Sequence, residues 1–260
     1  MEAHVLPAIA TVLVWWGATG TILYLDRLPP HTFRASLLAA TAILVASLLL
    51  LHGTRDDASL AGGYLAFVGA IGVWAWQEVG FLLGYVTGPR RLPCPPGSRG
   101  WNRARLAFAT ILHHEIAVVL LAAAVVYATW GGANLTGLWT FLVLWAMRQS
   151  AKLNLFFGVR NLGSEFLPGH LDYLQTYFLR RPFNPLLPFS ILLPAVAAGW
   201  VWHAALASAD AAQSASLSII GTLLALAALE HVFMLLPLST LGLWRWGSDA
   251  TGAARAEGRR

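Results

Sequence analysis

The sequence predicts an all-α polytopic membrane protein, a bundle of about seven transmembrane helices with its N-terminus outside and its C-terminus in the cytoplasm. Three observations carry that prediction. Of 260 residues, 57% are hydrophobic and 11% charged, with a mean hydropathy of +0.63, whereas a soluble domain carries about 25% charged residues. The apolar residues fall into runs at 5–25, 34–52, 60–86, 105–130, 136–158, 188–208 and 216–240, each near the roughly 20 residues that cross a hydrocarbon core. All of the 17 Lys and Arg residues except Arg55 fall on one side of that alternation, and basic loops stay in the cytoplasm.

Each span has its own marks. The first follows Glu2 and His4, with no basic leader, and ends at Asp26 and Arg27, so it reads as a retained helix and not a cleaved signal peptide. The third carries Gly80, Gly84 and Gly88 at four-residue intervals, a small-residue face that lets a neighbouring backbone approach closely just below Glu78. Trp130 and Trp139 flank the short outer turn between the fourth and fifth spans, and Trp101, Trp244 and Trp246 lie near inner ends, as interfacial belts require. Trp15, Trp16, Trp74, Trp76 and Trp145 lie too deep for a belt and are expected at helix interfaces or a pocket. Pro194 in the sixth span is tolerable where neighbours repack around it. Residues 1–247 form a single transmembrane domain, and the Ala-, Gly- and Arg-rich stretch 248–260 reads as a disordered basic tail.

Composition also excludes. About seven spans leave no room for a sizeable extramembrane domain, and the sequence pI near 9.9 is a topology signal with no nucleic-acid partner implied. A single cysteine excludes an internal disulfide and a Cys-based zinc cluster.

Two inner connections are long enough to carry function. In 87–105, Pro89, Arg90 and Arg91 lead to Cys94 between Pro93 and Pro95; the segment reads as a docking surface or a redox-sensitive thiol, or else as a rigid turn with an inert cysteine. In 161–187, Leu171, Leu174 and Phe178 at i, i+3, i+7 make an apolar stripe ending at Arg180 and Arg181. That is either a helix lying in the membrane interface against anionic headgroups or a connector between spans.

Ionisable residues inside spans are the most informative feature, because each costs roughly 2.5–3.5 kcal/mol at a helix centre on insertion scales. Glu78 on the third span, His113, His114 and Glu115 on the fourth, Arg148 on the fifth and Glu230 with His231 on the seventh fall at one depth, with Lys152 and Asn154 nearer the cytoplasm. Arg148 and Lys152 at i, i+4 repel on one helix face and need carboxylates. Four readings stay open. One is a structural ion-pair network. Another is a metal site using Glu78, His114, Glu115, Glu230 and His231, although none of these has the Glu-x-x-His offset that aligns two ligands on one face. The remaining two are ligation of a chlorophyll magnesium by an Ala-x-x-x-His pair, Ala109 with His113 or Ala227 with His231, and a proton relay.

Several stretches together resemble a known family: Val14-Trp15-Trp16, Leu25-Asp26, Thr87-Gly88-Pro89-Arg90-Arg91, Cys94-Pro95, His114-Glu115, Trp145-Ala146-Met147-Arg148, Ser150-Ala151-Lys152-Leu153-Asn154, Glu165-Phe166-Leu167-Pro168, Arg181-Pro182-Phe183-Asn184-Pro185 and Leu229-Glu230-His231. They look like the photosynthetic complex assembly protein 2, or PuhE, family of purple and related phototrophic bacteria, over residues 5–247. The resemblance implies a multi-pass protein of the bacterial inner, intracytoplasmic membrane, encoded beside the reaction-centre H subunit. It further implies partners among reaction-centre, antenna or pigment-synthesis proteins. It brings no catalytic or ligand residues. The resulting expectation is an assembly factor whose inner loops contact a client and whose polar layer fixes the bundle or holds bacteriochlorophyll or a precursor. The alternative is a membrane metalloenzyme acting on a tetrapyrrole or lipid through the Glu/His site.

Overall fold

A computed structural model describes residues 2–237, 240–244 and 246, and among them the architecture is helical throughout. Seven long helices follow one another: α1 (Glu2–Asp26), α2 (Phe33–Gly53), α3 (Leu60–Leu82), α4 (Gly100–Ala128), α5 (Thr136–Phe157), α6 (Leu187–Ala207) and α7 (Ala211–Phe233). Six are long and apolar enough to cross a membrane, all but α5. The fifth expected span is thus a helix of the right length whose Arg148, Gln149, Ser150, Lys152 and Asn154 make it too polar to qualify. The expected disordered tail and the topology-setting Arg245, Arg255, Arg259 and Arg260 lie outside the described residues.

Short connections start the helices where side chains cap free amides. Ser59 Oγ accepts the Gly62 N–H at 3.1 Å to open α3, and Asp210 Oδ1 accepts the Ala212 N–H at 2.9 Å to open α7. Helices α3 and α7 are the inner pair, with 61% and 50% of their most apolar stretches buried against 17–28% for α1, α2, α4 and α6. Helix α2 packs on α3, α6 on α7, and α1 and α5 touch both inner helices. One core gathers Leu51, Ala66, Val73, Val118, Val125 and Phe141 from α2 to α5, and a second gathers Phe67, Ile219 and Leu223 from α3 and α7. His4 with Ser214 and Thr136 with Ser216 tie the helix ends opposite the Arg-rich connections.

At the Arg-rich face the helices end unevenly, and this corrects two expected boundaries. Helix α3 stops at Leu82 and not 86, and α7 stops at Phe233 and not 240. The chain then runs irregularly close beneath them. Backbone carbonyls freed at and beyond these helix ends find protein donors. The Leu82 carbonyl accepts from His170 Nε2 at 2.8 Å, the Gly84 carbonyl from Arg91 at 2.9 Å, and the Phe233 carbonyl from Asn161 Nδ2 at 3.1 Å.

The expected glycine face on the third span is also corrected. Gly84 lies past the helix end at φ +81°, and Gly88 sits in the following loop. A Cβ on Gly88 would fall 2.3 Å from the Ala109 carbonyl oxygen, so its small size serves the loop's approach to α4. The stripe 171–178 is likewise no interfacial helix. Gly169–Tyr177 is a 3₁₀ segment whose period of three buries Leu171, Leu174 and Tyr177, the first two packed against Phe81 and Leu82. Trp244, expected in an interfacial belt, is buried against Trp15, whereas Trp101 is 82% exposed.

Candidate functional site

The polar layer forms where α5 places Arg148 and Lys152 one turn apart. Arg148 Nη2 donates to Glu78 Oε2 of α3 at 2.9 Å, and Gln77 Nε2 donates to the other Glu78 oxygen at 3.0 Å. Lys152 Nζ donates to Glu115 Oε1 of α4 at 2.5 Å, and Gln149 Nε2 to Glu115 Oε2 at 2.5 Å. Both cations thus bridge α5 to a neighbour, and both carboxylates accept a second, amide hydrogen bond. Glu78 lies one turn from the C-terminus of α3, where the helix dipole disfavours a carboxylate, so Arg148 also offsets that cost. Glu230 is different: it is exposed on α7 and accepts a hydrogen bond from Trp15 Nε1 of α1 at 3.1 Å.

The histidines do not join the carboxylates. His114 is 1% exposed and lies against the Phe81 ring at 4.6 Å, and neither ring nitrogen has a hydrogen-bond partner among the described residues. Its backbone N–H donates to the Thr87 carbonyl at 2.9 Å while Arg90 N–H donates to the Ala109 carbonyl at 3.2 Å, so the loop after α3 docks on the middle of α4. His231, also 1% exposed, bonds through Nδ1 to the Ala227 carbonyl at 2.8 Å. A carbonyl only accepts, so the proton resides on Nδ1 and the neutral ring leaves a lone pair on Nε2, which has no hydrogen-bond partner among the described residues. His113 is exposed. Among the described residues, no group of three or more His, Cys, Asp or Glu side chains converges to hold a metal ion. Glu78, His114, Glu115, Glu230 and His231 are not brought to a common point. Crevices of about 340 and 360 Å³ open on the opposite face, lined by residues such as His52 and Trp130 or Asp57 and Asp210, and no expected site residue lines either.

Asn154, expected at the edge of the layer, is instead a fully buried hub. Its Nδ2 donates to the Ser150 carbonyl at 2.9 Å and Ser190 Oγ at 2.8 Å, and its Oδ1 accepts from Asn184 Nδ2 at 3.0 Å. Asn184, Ser190, Gln77, Gln149 and Trp15 were not singled out as partners from sequence. Only Asn184 carries a local signal, the Asn-Pro turn dipeptide at 184–185.

The two long connections, read as separate docking surfaces, form one platform. Arg90 Nε donates to Tyr177 Oη at 2.8 Å, Tyr177 Oη donates to the Leu92 carbonyl at 3.1 Å, and Cys94 N–H donates to Thr176 Oγ1 at 2.8 Å. Arg103 donates to the Tyr177 and Phe156 carbonyls and stacks over Phe156 at 4.1 Å. Arg181 N–H donates to the Val159 carbonyl at 3.1 Å beside the bridge between Val159 and Arg180. Pro89, Arg91, Arg180 and Arg181 are exposed on this platform, and Cys94 is half-covered.

Long apolar helices around an inner layer of paired charges define a helical membrane-bundle protein. The chain belongs to the DUF3623 family of proteins of unknown function, whose model matches residues 1–255. It is 38% identical over 246 residues to an uncharacterized 30.4 kDa protein in the puhA 5′ region of Rhodobacter capsulatus, covering 93% of this chain and 89% of that one. No solved structure matches it.

Proposed function

We propose that this protein is a membrane-embedded assembly factor for the bacterial photosynthetic apparatus, a PuhE-like protein of the inner membrane with its N-terminus outside and its Arg-rich platform in the cytoplasm. The observation that carries the reading is the relative encoded in the puhA 5′ region, in agreement with the motif resemblance, which implies a place beside the reaction-centre H subunit. The structure supports it indirectly. Arg148 and Lys152 engage Glu78 and Glu115, which favours a layer that fixes the bundle over the metalloenzyme alternative. The stitched loops 87–105 and 159–187 offer a preformed face for a client subunit or pigment-synthesis enzyme. Affinity purification from phototrophically grown cells tests this: reaction-centre, antenna or pigment-synthesis proteins co-purify, and their absence under conditions that preserve complexes refutes it.

A second reading, transient retention of bacteriochlorophyll or a precursor, has one observation in its favour. The Nε2 lone pair of His231 is oriented by the Nδ1 bond to Ala227, as second-shell partners orient metal-ligating imidazoles. A co-purifying bacteriochlorophyll absorption band that weakens in His231→Ala supports it, and an unchanged band contradicts it.

A further inference from the structure

We infer that the α1–α7 face bearing Glu230 and Trp15 docks a membrane-spanning segment of a partner protein that presents a lysine or arginine side chain. Three carboxylates occupy the polar layer, and two are matched: Glu78 by Arg148 and Glu115 by Lys152. Glu230 has no ion-pair partner within 4 Å among the described residues, only the Trp15 indole N–H. Arg148 acts on it electrostatically, but its guanidinium is bonded to Glu78, itself a second acidic influence on Glu230. Among the described residues the layer therefore lacks one positive charge, and the deficit is at its exposed member.

An exposed carboxylate on a spanning helix calls for a cation, and the surface around it decides where that cation comes from. Trp15 and Glu230 are joined by their hydrogen bond, and their chain neighbours Val12, Leu13, Trp16 and Leu229 are exposed apolar side chains. A lysine or arginine on a spanning helix covers that apolar face and meets the carboxylate together, whereas a headgroup amine brings the charge alone. The Trp15 ring, set edge to face against Trp244 at 5.5 Å, adds an aromatic surface next to the carboxylate, the surroundings that favour a cation. This deepens the assembly reading by naming the partner's chemistry, and rests on that reading for where the partner is found.

The test places a photo-crosslinking benzophenone amino acid at Leu229, exposed beside Glu230, and at Leu193 on α6 as control, in the full chain in phototrophic membranes. The crosslinked peptide from Leu229 is expected to lie in an apolar stretch of spanning length containing Lys or Arg, with no such adduct from Leu193. Its yield is expected to fall at least tenfold in Glu230→Gln and to persist in Glu230→Asp, both variants purifying like the parent. Adducts to lipid only, to a spanning peptide without a basic residue, to a second copy of this chain or to its own residues 238–260 overturn the inference, as does full yield in Glu230→Gln. If a basic spanning peptide is captured from a protein unrelated to photosynthesis, the docking face stands and the assembly reading fails. If photosynthetic proteins co-purify without a Leu229 adduct, the assembly reading stands and the docking face fails.

Discussion

Replacing Gly88 by alanine separates the loop that follows α3 from the middle of α4. The added Cβ would sit 2.3 Å from the Ala109 carbonyl oxygen, 2.5 Å from the Thr110 carbonyl carbon and 2.7 Å from its oxygen. These are backbone atoms of a long helix, so the loop must retreat, by at least about 0.7 Å to restore a contact near 3 Å. The His114 N–H to Thr87 carbonyl bond starts at 2.9 Å and the Arg90 N–H to Ala109 carbonyl bond at 3.2 Å. The same retreat stretches both beyond about 3.5 Å, where a hydrogen bond is no longer made. Leaving a buried polar group unsatisfied costs about 1–3 kcal/mol, so the loss of both bonds is expected to destabilise the protein by about 2–6 kcal/mol. Equilibrium unfolding in mixed micelles, followed by tryptophan fluorescence, measures it. Gly17→Ala on α1 is the control: its Cβ meets nothing within 4 Å, and removing a helix-interior glycine is expected to stabilise by about 0.5–1 kcal/mol. Equal stability of Gly88→Ala and the parent refutes the reasoning.

Other perturbations probe the layer and the platform. Arg148→Met leaves Glu78 without its cation; because the Arg148 side chain is 40% exposed, the expected cost is about 1–3 kcal/mol, below that of a fully buried pair, and a Glu78→Gln/Arg148→Met double variant recovers part of it in the same unfolding assay. Asn154→Ala empties a site with 0% exposure and removes one acceptor of the Asn184 amide, which keeps its bond to the Gly158 carbonyl, so it is expected to cost about 2–4 kcal/mol and to lower the melting temperature more than Asn161→Ala. Tyr177→Phe removes the hydroxyl that accepts from Arg90 and donates to Leu92; hydrogen exchange across 89–99 is expected to quicken without global destabilisation, because opening is local.

Much of the fold is legible in the sequence because spanning runs of apolar residues have one solution in a bilayer. The limits of α3 and α7 are not. Leu82-Leu83-Gly84-Tyr85-Val86 continues the apolar run past the helix end, and hydropathy does not register that Gly84 turns at φ +81°. The glycine spacing at 80, 84 and 88 mimics a helix face for the same reason, although Gly88 answers to a tertiary contact with α4. The stripe 171–178 misleads through period: Leu171, Leu174 and Tyr177 repeat every three residues in a 3₁₀ segment, whereas the i, i+3, i+7 reading selects Phe178. In the site, the pairing of basic with acidic residues follows from charge balance, but which carboxylate each cation takes does not. That choice depends on helix order in space, which puts α5 between α3 and α4 at this depth. Asn154 is legible as polar and intramembrane, while its partners Asn184 and Ser190 come from a connection and a helix that sequence spacing does not bring near it.

The most direct measurement is the composition of the complex captured through this chain from membranes of phototrophically grown cells. Stoichiometric enrichment of reaction-centre, antenna or pigment-synthesis proteins, reduced when Arg180 and Arg181 are changed to alanine, is the result expected of an assembly factor with a cytoplasmic platform. A chain that purifies alone from intact complexes, or with stoichiometric metal and no photosynthetic partner, contradicts it.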